Sequence, residues 1–94
     1  MFNGVRLKIK KKKIIKEIEN DPIYFNYDEY KSRFRYRELL INSIKYSKSS
    51  KDIDTIIRLH NTMESNNWSY KQRIRALANI HDLFNDMVTL VTVL

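Results

Sequence analysis

The sequence predicts an all-α fold, a compact bundle of about four helices joined by short loops. Three observations support this prediction. The chain has one glycine and one proline in 94 residues, and sheet-rich folds need more turn residues than that. Apolar residues recur at helical spacing along most of the chain. Polar breaks separate the periodic segments, and short connections favour antiparallel neighbouring helices.

The length and composition limit the class of protein. A chain of 94 residues corresponds to one domain, 1–94, with a small core and marginal stability as a monomer. Cysteine is absent, which excludes disulfides and fits a reducing compartment. We expect a cytoplasmic protein without a transmembrane segment, because no apolar run reaches the roughly 18–20 residues that span a bilayer. Abundant Ile, Lys, Asn and Tyr are typical of an AT-rich genome, such as that of a phage or mobile element.

The first segment has an ambiguous pattern. Apolar and basic residues alternate from Val5 to Lys10, as they do in a strand. At helical spacing, Leu7 and Ile18 share one face instead. We predict a helix from about Lys8 to Glu19, with a short extended arm before it as an open alternative. An Asn-Asp-Pro sequence ends this helix, because the residue before proline avoids helical backbone angles.

The second segment is predicted to be a helix from about Tyr27 to Lys48, with Asn26 as its N-cap. Helical spacing places its large apolar side chains on one arc: Tyr27, Tyr30, Phe34, Leu40, Ile41 and Ile44. We therefore assign Tyr30 and Phe34 to the core.

The third helix is predicted from about Lys51 to Glu64, with Ser50 as its N-cap and Asp52 near the positive end of its dipole. The fourth begins at Ser69 and continues to the end of the chain. Its apolar face is wide: Ile74, Leu77, Ile80, Phe84, Met87, Val88 and Val91. This width favours a homodimer contact through the C-terminal helix, and a buried closing helix of a monomer is the alternative. Residues 87–94 are rich in β-branched side chains, so a terminal strand also stays open.

The charge of the chain is strongly asymmetric. The first 16 residues contain no acid and seven basic residues: Arg6, Lys8, Lys10, Lys11, Lys12, Lys13 and Lys16. The rest of the chain contains 11 basic and 11 acidic side chains, so the net charge of +7 comes from residues 1–16. Such a cluster attracts phosphates or an acidic protein surface. The alternative is an ordinary solvated helix face.

A second basic segment contains many aromatic residues. Six aromatic residues between Tyr24 and Tyr36 interleave with basic side chains. Single-stranded nucleic-acid binders combine these types, since bases stack on rings while Arg contacts phosphate. The predicted binding residues here are Lys31, Arg33, Arg35, Tyr36 and Arg37. Arg35 and Tyr36 lie off the apolar arc and are predicted on the surface. Arg37 lies near the middle of that arc, where it could extend its charged end to solvent, pair with an acid or line an anion pocket.

The two histidines offer a weak metal hypothesis. His60 and His81 lie on or near the apolar stripes of neighbouring helices, and Asp82 could complete a metal site with them. The simpler interpretation is two hydrogen-bonded histidines at the edge of the core. We predict neither a metal nor a cofactor.

The segment RALANIH, in which five residues separate Arg75 from His81, resembles the Arg–His signature of the HEPN family of helical ribonucleases. The resemblance implies a dimer in which His81 is the general acid/base and Arg75 stabilises the scissile phosphate. The family usually has a polar residue directly after the Arg, and this chain has Ala76.

We predict a small, basic, non-enzymatic binding protein that contacts nucleic acid or another phosphate-rich ligand through its N-terminal lysine cluster. The alternative is a protein-interaction module, of the inhibitor or immunity type, that docks on an acidic partner. A third hypothesis is the HEPN-like ribonuclease.

Overall fold

The computed structural model of the protein describes residues 2–26 and 29–80. This part of the chain is all-α and contains no strand, as predicted. Its elements are α1 (Phe2–Glu19), a short 3₁₀ helix (Pro22–Phe25), α2 (Tyr30–Lys45), α3 (Ser50–Ser65) and α4 (70–80). None of the helices described is long and apolar enough to cross a membrane. The predictions for residues 81–94, including the C-terminal dimer contact and the terminal strand, lie outside the described residues.

The first helix is continuous from Phe2, so the extended-arm alternative is wrong and the predicted start at Lys8 is too late. The alternating pattern covers only a few residues, whereas the helical spacing continues to the end of the segment. Ile18 is buried in the core, and Leu7 and Ile14 pack partly against it. A strand over the first residues would break this shared face.

The 3₁₀ helix was missed by the sequence analysis, which treated the Asn-Asp-Pro sequence only as a break. Asp21 accepts a hydrogen bond through Oδ1 from the backbone N–H of Ile23 at 3.1 Å and thereby caps the turn. Pro22 occupies a first-turn position, where its missing N–H costs nothing. The turn places Tyr24 in the core.

The second helix begins later and ends earlier than predicted. Asn26 ends the 3₁₀ helix and is not the cap of α2. The residue before α2 is Glu29, which has a left-handed backbone (φ 54°) and makes no side-chain cap. The helix ends at Lys45.

The cap of α3 is Ser49, so the prediction of Ser50 is wrong by one residue. Ser49 accepts a hydrogen bond through Oγ from the N–H of Asp52 at 3.2 Å. Either serine fits the sequence pattern, and only the extended backbone of Ser49 decides between them.

The break between α3 and α4 was predicted correctly and has a clear structural basis. Asn67 has a left-handed backbone (φ 56°), and the N–H of Trp68 donates to the carbonyl of Met63 at 3.0 Å. This is the usual closure of a helix C-terminus. Ser69 and Gln72 then form a reciprocal capping box, each side chain accepting from the other residue's backbone N–H, at 3.2 and 3.3 Å.

Helices α1 and α2 run antiparallel. Arg33, near the start of α2, donates to the carbonyl of Ile23, just after α1, at 3.1 Å. Lys11, in the middle of α1, donates to the carbonyl of Lys45 at the end of α2 at 2.9 Å. These two contacts fix the pairing of the first two helices, which is the geometry expected for a short connection.

The core takes residues from all four helices and from the 3₁₀ helix. Its buried apolar members are Ile18, Tyr24, Tyr36, Leu40, Ile44, Ile53, Ile56, Met63, Tyr70 and Leu77. Burial of each large side chain of this kind stabilises a fold by roughly 1.5–3 kcal/mol.

A buried cation lies beside the tyrosines of the core. Arg73 is only 5% exposed, and its guanidinium carbon lies 4.5 Å from the ring centroid of Tyr70. Its Nε donates to the carbonyl of Trp68 at 3.0 Å. The electron-rich ring and the carbonyl offset part of the hydration free energy that the cation loses on burial.

Candidate nucleic-acid interface

Two of the seven N-terminal basic residues hold α1 on the bundle. The Nζ of Lys10 lies 2.6 Å from Oδ1 of Asp54 and 2.6 Å from Oγ of Ser50, at the start of α3. Lys11 donates to Lys45 at the C-terminus of α2, where carbonyls lack intrahelical partners and carry negative partial charge. Both lysines were predicted to bind a ligand, and the structure gives both a contact within the fold.

The other five basic residues of α1 are exposed. We call them the basic face: Arg6, Lys8, Lys12, Lys13 and Lys16. At helical spacing they lie roughly on the half of α1 that is opposite the buried Ile18. They form no ion pair or hydrogen bond with the residues that the structure describes. The two acids of α1 are confined to its last turn, at Glu17 and Glu19. The basic face therefore concentrates positive charge at one surface.

Two apolar side chains lie among these cations. Val5 is 59% exposed and Ile9 is 63% exposed. Helical spacing places both on the outer half of α1, between basic neighbours. A ligand that covers the basic face therefore meets some apolar surface as well as charge.

The basic residues predicted on α2 have different environments. Arg33 donates through Nη1 to the carbonyl of Ile23 and to the hydroxyl of Tyr70, both at 3.1 Å. Its guanidinium also lies 4.6 Å from the ring centroid of Tyr70. Arg33 therefore ties the 3₁₀ helix and α4 to α2. Lys31 and Arg35, by contrast, are exposed, as a binding role requires.

Arg37 is half-buried, and its guanidinium lies against an aromatic ring. Its guanidinium carbon is 5.9 Å from the ring centroid of Phe25. Its Nε is buried and has no hydrogen-bond partner among residues 2–26 and 29–80. No carboxylate of the described residues forms an ion pair with it. Of the three alternatives for this residue, pairing with an acid is thus not observed in that part of the chain.

The prediction that Tyr36 lies on the surface is wrong. Tyr36 is fully buried, and its ring stacks on the imidazole of His60 with centroids 5.7 Å apart. Its hydroxyl lies 2.5 Å from Nδ1 of His60. The core face of α2 is centred on Tyr36 and Leu40, and it includes the small side chain of Ser43. Tyr36 is therefore unavailable to a ligand.

The assignment of Tyr30 and Phe34 to the core is also wrong. They are 48% and 42% exposed, and their rings stack on each other with centroids 6.2 Å apart and planes at 25°. Phe25 is exposed as well. We call these three residues the aromatic patch. Arg37 lies on the same predicted arc as Tyr30 and Phe34. An arginine rarely occupies the middle of a core stripe, so its position indicated that this face of α2 is exposed.

His60 belongs to a chain of polar groups that runs from the exposed Glu64 to the buried Tyr36. Its Nε2 lies 3.6 Å from Oε2 of Glu64. Burial is the main cause that lowers the pKa of His60, Arg73 acts in the same direction, and Glu64 opposes both. Burial also raises the pKa of Tyr36. The phenol therefore keeps its proton, and the imidazole is neutral. Because the carboxylate of Glu64 faces Nε2, that nitrogen carries the imidazole proton, and Nδ1 accepts from the Tyr36 hydroxyl.

This carboxylate–imidazole–phenol chain has the order of groups found in catalytic relays. Its terminal hydroxyl, on Tyr36, is fully buried, so no substrate reaches it. The chain therefore stabilises the core. His60 and Glu64 are four residues apart on one helix, a spacing that the sequence analysis overlooked.

The remaining sequence motifs reach beyond the described residues. Residues 2–26 and 29–80 contain no group of three or more His, Asp or Glu placed to hold a metal ion. Arg75 is exposed on α4. His81 and Asp82, on which the metal and ribonuclease hypotheses depend, lie outside the described residues.

Comparison of the chain with protein-family models gave no match, and neither did the searches of curated proteins and of solved structures.

Proposed function

We propose that this chain binds nucleic acid, or another polymer of phosphates, through the basic face of α1. One observation carries the proposal: five exposed cations share one side of a helix and have no carboxylate partner among the described residues. Each lysine acts as a flexible point charge that can contact a phosphate. The release of counterions from the polyanion then drives the association.

The proposal predicts a steep dependence of affinity on salt. If all five cations contact phosphates, the slope of log K against log salt is about −4.5 for duplex DNA and about −3.5 for a single strand. A rise from 50 to 200 mM salt then weakens binding by roughly two to three orders of magnitude. The measurement is fluorescence anisotropy of labelled oligonucleotides at both salt concentrations.

Substitution within the basic face is the direct test. The variant Lys12→Gln/Lys16→Gln removes two exposed charges and keeps good helix formers. The matched control Lys51→Gln/Lys71→Gln removes two exposed charges from α3 and α4. We expect the first variant to lower the salt slope by about two and the control to leave it nearly unchanged. Equal losses in both variants would mean that only net charge matters, and the basic face would not be the binding site.

Val5 and Ile9 favour a second candidate, an acidic protein partner. Apolar contact at the centre of a charged surface is typical of protein interfaces. Poly-glutamate of matched charge separates the two candidates, because it offers carboxylates without phosphates. Preference for the oligonucleotide, with no effect of Ile9→Ser, supports nucleic acid. Preference for poly-glutamate, weakened by Ile9→Ser, favours the protein partner.

A further inference from the structure

The aromatic patch exposes three aromatic rings to solvent. Tyr30 and Phe34 lie one turn apart on α2 and stack on each other, while their outer surfaces remain in solvent. Phe25 lies at the end of the 3₁₀ helix and is also exposed. Large exposed aromatic surface of this kind is characteristic of binding sites.

The patch is joined to a cation. Arg37 follows Phe34 by three residues on the same side of α2, and its guanidinium lies against Phe25. The guanidinium carbon lies 5.9 Å from the ring centroid of Phe25, and no carboxylate of the described residues forms an ion pair with it. A phosphate that approaches its terminal nitrogens would therefore displace no acid of the described residues.

The charge of α2 complements a polyanion. The helix contains five basic side chains and one acidic one: Lys31, Arg33, Arg35, Arg37, Lys45 and Glu38. A nucleotide offers a flat ring and a phosphate within one repeating unit, which matches rings beside an arginine. An acidic peptide offers the charge without the ring. A duplex hides the faces of its bases, so only an unpaired strand can stack on exposed rings.

We infer that Phe25, Tyr30 and Phe34 form a stacking surface for the bases of single-stranded nucleic acid, with Arg37 contacting the phosphates. This inference rests on the proposed function and deepens it, since the basic face of α1 has no means of distinguishing a single strand from a duplex. The aromatic patch supplies that discrimination.

The experiment compares a labelled 20-nucleotide single strand with a hairpin duplex of equal charge, using anisotropy at low salt. The test variant is Tyr30→Leu/Phe34→Leu, which keeps apolar, helix-forming side chains and removes both rings. The control is Tyr46→Leu, which removes a ring that is 66% exposed just after α2. Loss of one stacked base costs about 5- to 150-fold in affinity. We expect at least a tenfold loss on the single strand, no loss on the duplex, and no loss in the control.

The outcomes separate this inference from the proposed function. Equal affinity of the test variant and the wild type for the single strand would overturn the inference, and the proposed function would stand if Lys12→Gln/Lys16→Gln still weakened binding. No binding of either oligonucleotide by the wild type would overturn both. Self-association of the wild type that is lost in Tyr30→Ser/Phe34→Ser would show an interface between copies, and would also overturn the inference.

Discussion

The substitution Tyr36→Phe tests the chain of polar groups that ends at Tyr36 in the core. It removes one hydroxyl and leaves the ring, so the stacking on His60 and the packing against Tyr24 and Tyr70 remain. What is lost is the hydrogen bond to Nδ1 of His60, at 2.5 Å in the wild type. Tyr36 is fully buried, so its side of this bond is closed to solvent.

The expected loss is set by the ring nitrogen left without a partner. A buried polar group that loses its only partner destabilises a fold by about 1–3 kcal/mol. Domains of this size unfold with a free energy of about 5–15 kcal/mol, so the loss is a substantial fraction of the total. Since each kcal/mol shifts Tm by about 4–8 °C in a domain of 60–100 residues, we expect Tm to fall by about 4–24 °C.

The measurement is thermal and urea unfolding followed by circular dichroism, with Tyr24→Phe as the matched control. Tyr24 is a buried tyrosine of the same cluster, and its hydroxyl makes no hydrogen bond with the part of the chain that the structure describes. We expect the control to change stability by less than about 0.5 kcal/mol. Equal effects of the two substitutions would refute the assignment of the energy to the bond between Tyr36 and His60.

Stability should depend on pH through His60, whose pKa burial lowers from its ordinary value of 6.5. The unfolded chain then binds a proton that the folded chain does not, so the free energy of unfolding falls as the pH drops below about 6.5. Urea titrations at several pH values should show this decline, and the decline should be smaller in His60→Gln. Ser49→Ala should cost about 1 kcal/mol in urea unfolding through loss of the α3 cap; no change would argue against this cap. Lys10→Met should cost less than about 1 kcal/mol, because the ion pair with Asp54 is solvent-exposed; a larger cost would contradict this. Labelled RNA should stay intact with the wild type on a denaturing gel; cleavage abolished by His81→Ala would support the ribonuclease hypothesis.

The class of fold could be predicted from the sequence, because turn residues are scarce and polar breaks separate the apolar helical segments. Ser69 and Gln72 form the kind of cap that a sequence pattern can identify. The 3₁₀ helix was not readable, because an Asp-Pro pair ends a helix and starts a turn equally well.

The orientation of α2 could not be derived from its pattern. Apolar side chains cover two faces of this helix: Tyr30 and Phe34 face solvent, whereas Tyr36, Leu40 and Ile44 are buried. The buried face centres on Tyr36, whose hydroxyl needs a partner in the core. That partner is His60, 24 positions along the chain, and no local periodicity can show such a contact. Of the predicted site residues, Tyr36 is buried, and Lys10, Lys11 and Arg33 make contacts within the fold. The binding role of the exposed cations stays a prediction.

The basic face belongs to a helix that is also part of the core, since Ile18 is buried on the opposite side of that helix. A polyanion that bound the basic face of the folded chain, with no affinity for the unfolded chain, would raise the free energy of unfolding of the whole domain by about 2.7 kcal/mol at a free concentration 100 times its Kd. Detachment of the first helix would leave the five cations charged and take Ile18 out of the core. Removing residues 1–16 would thus report the loss of a folded domain, whereas a thermal shift with added polyanion reports binding in the intact chain.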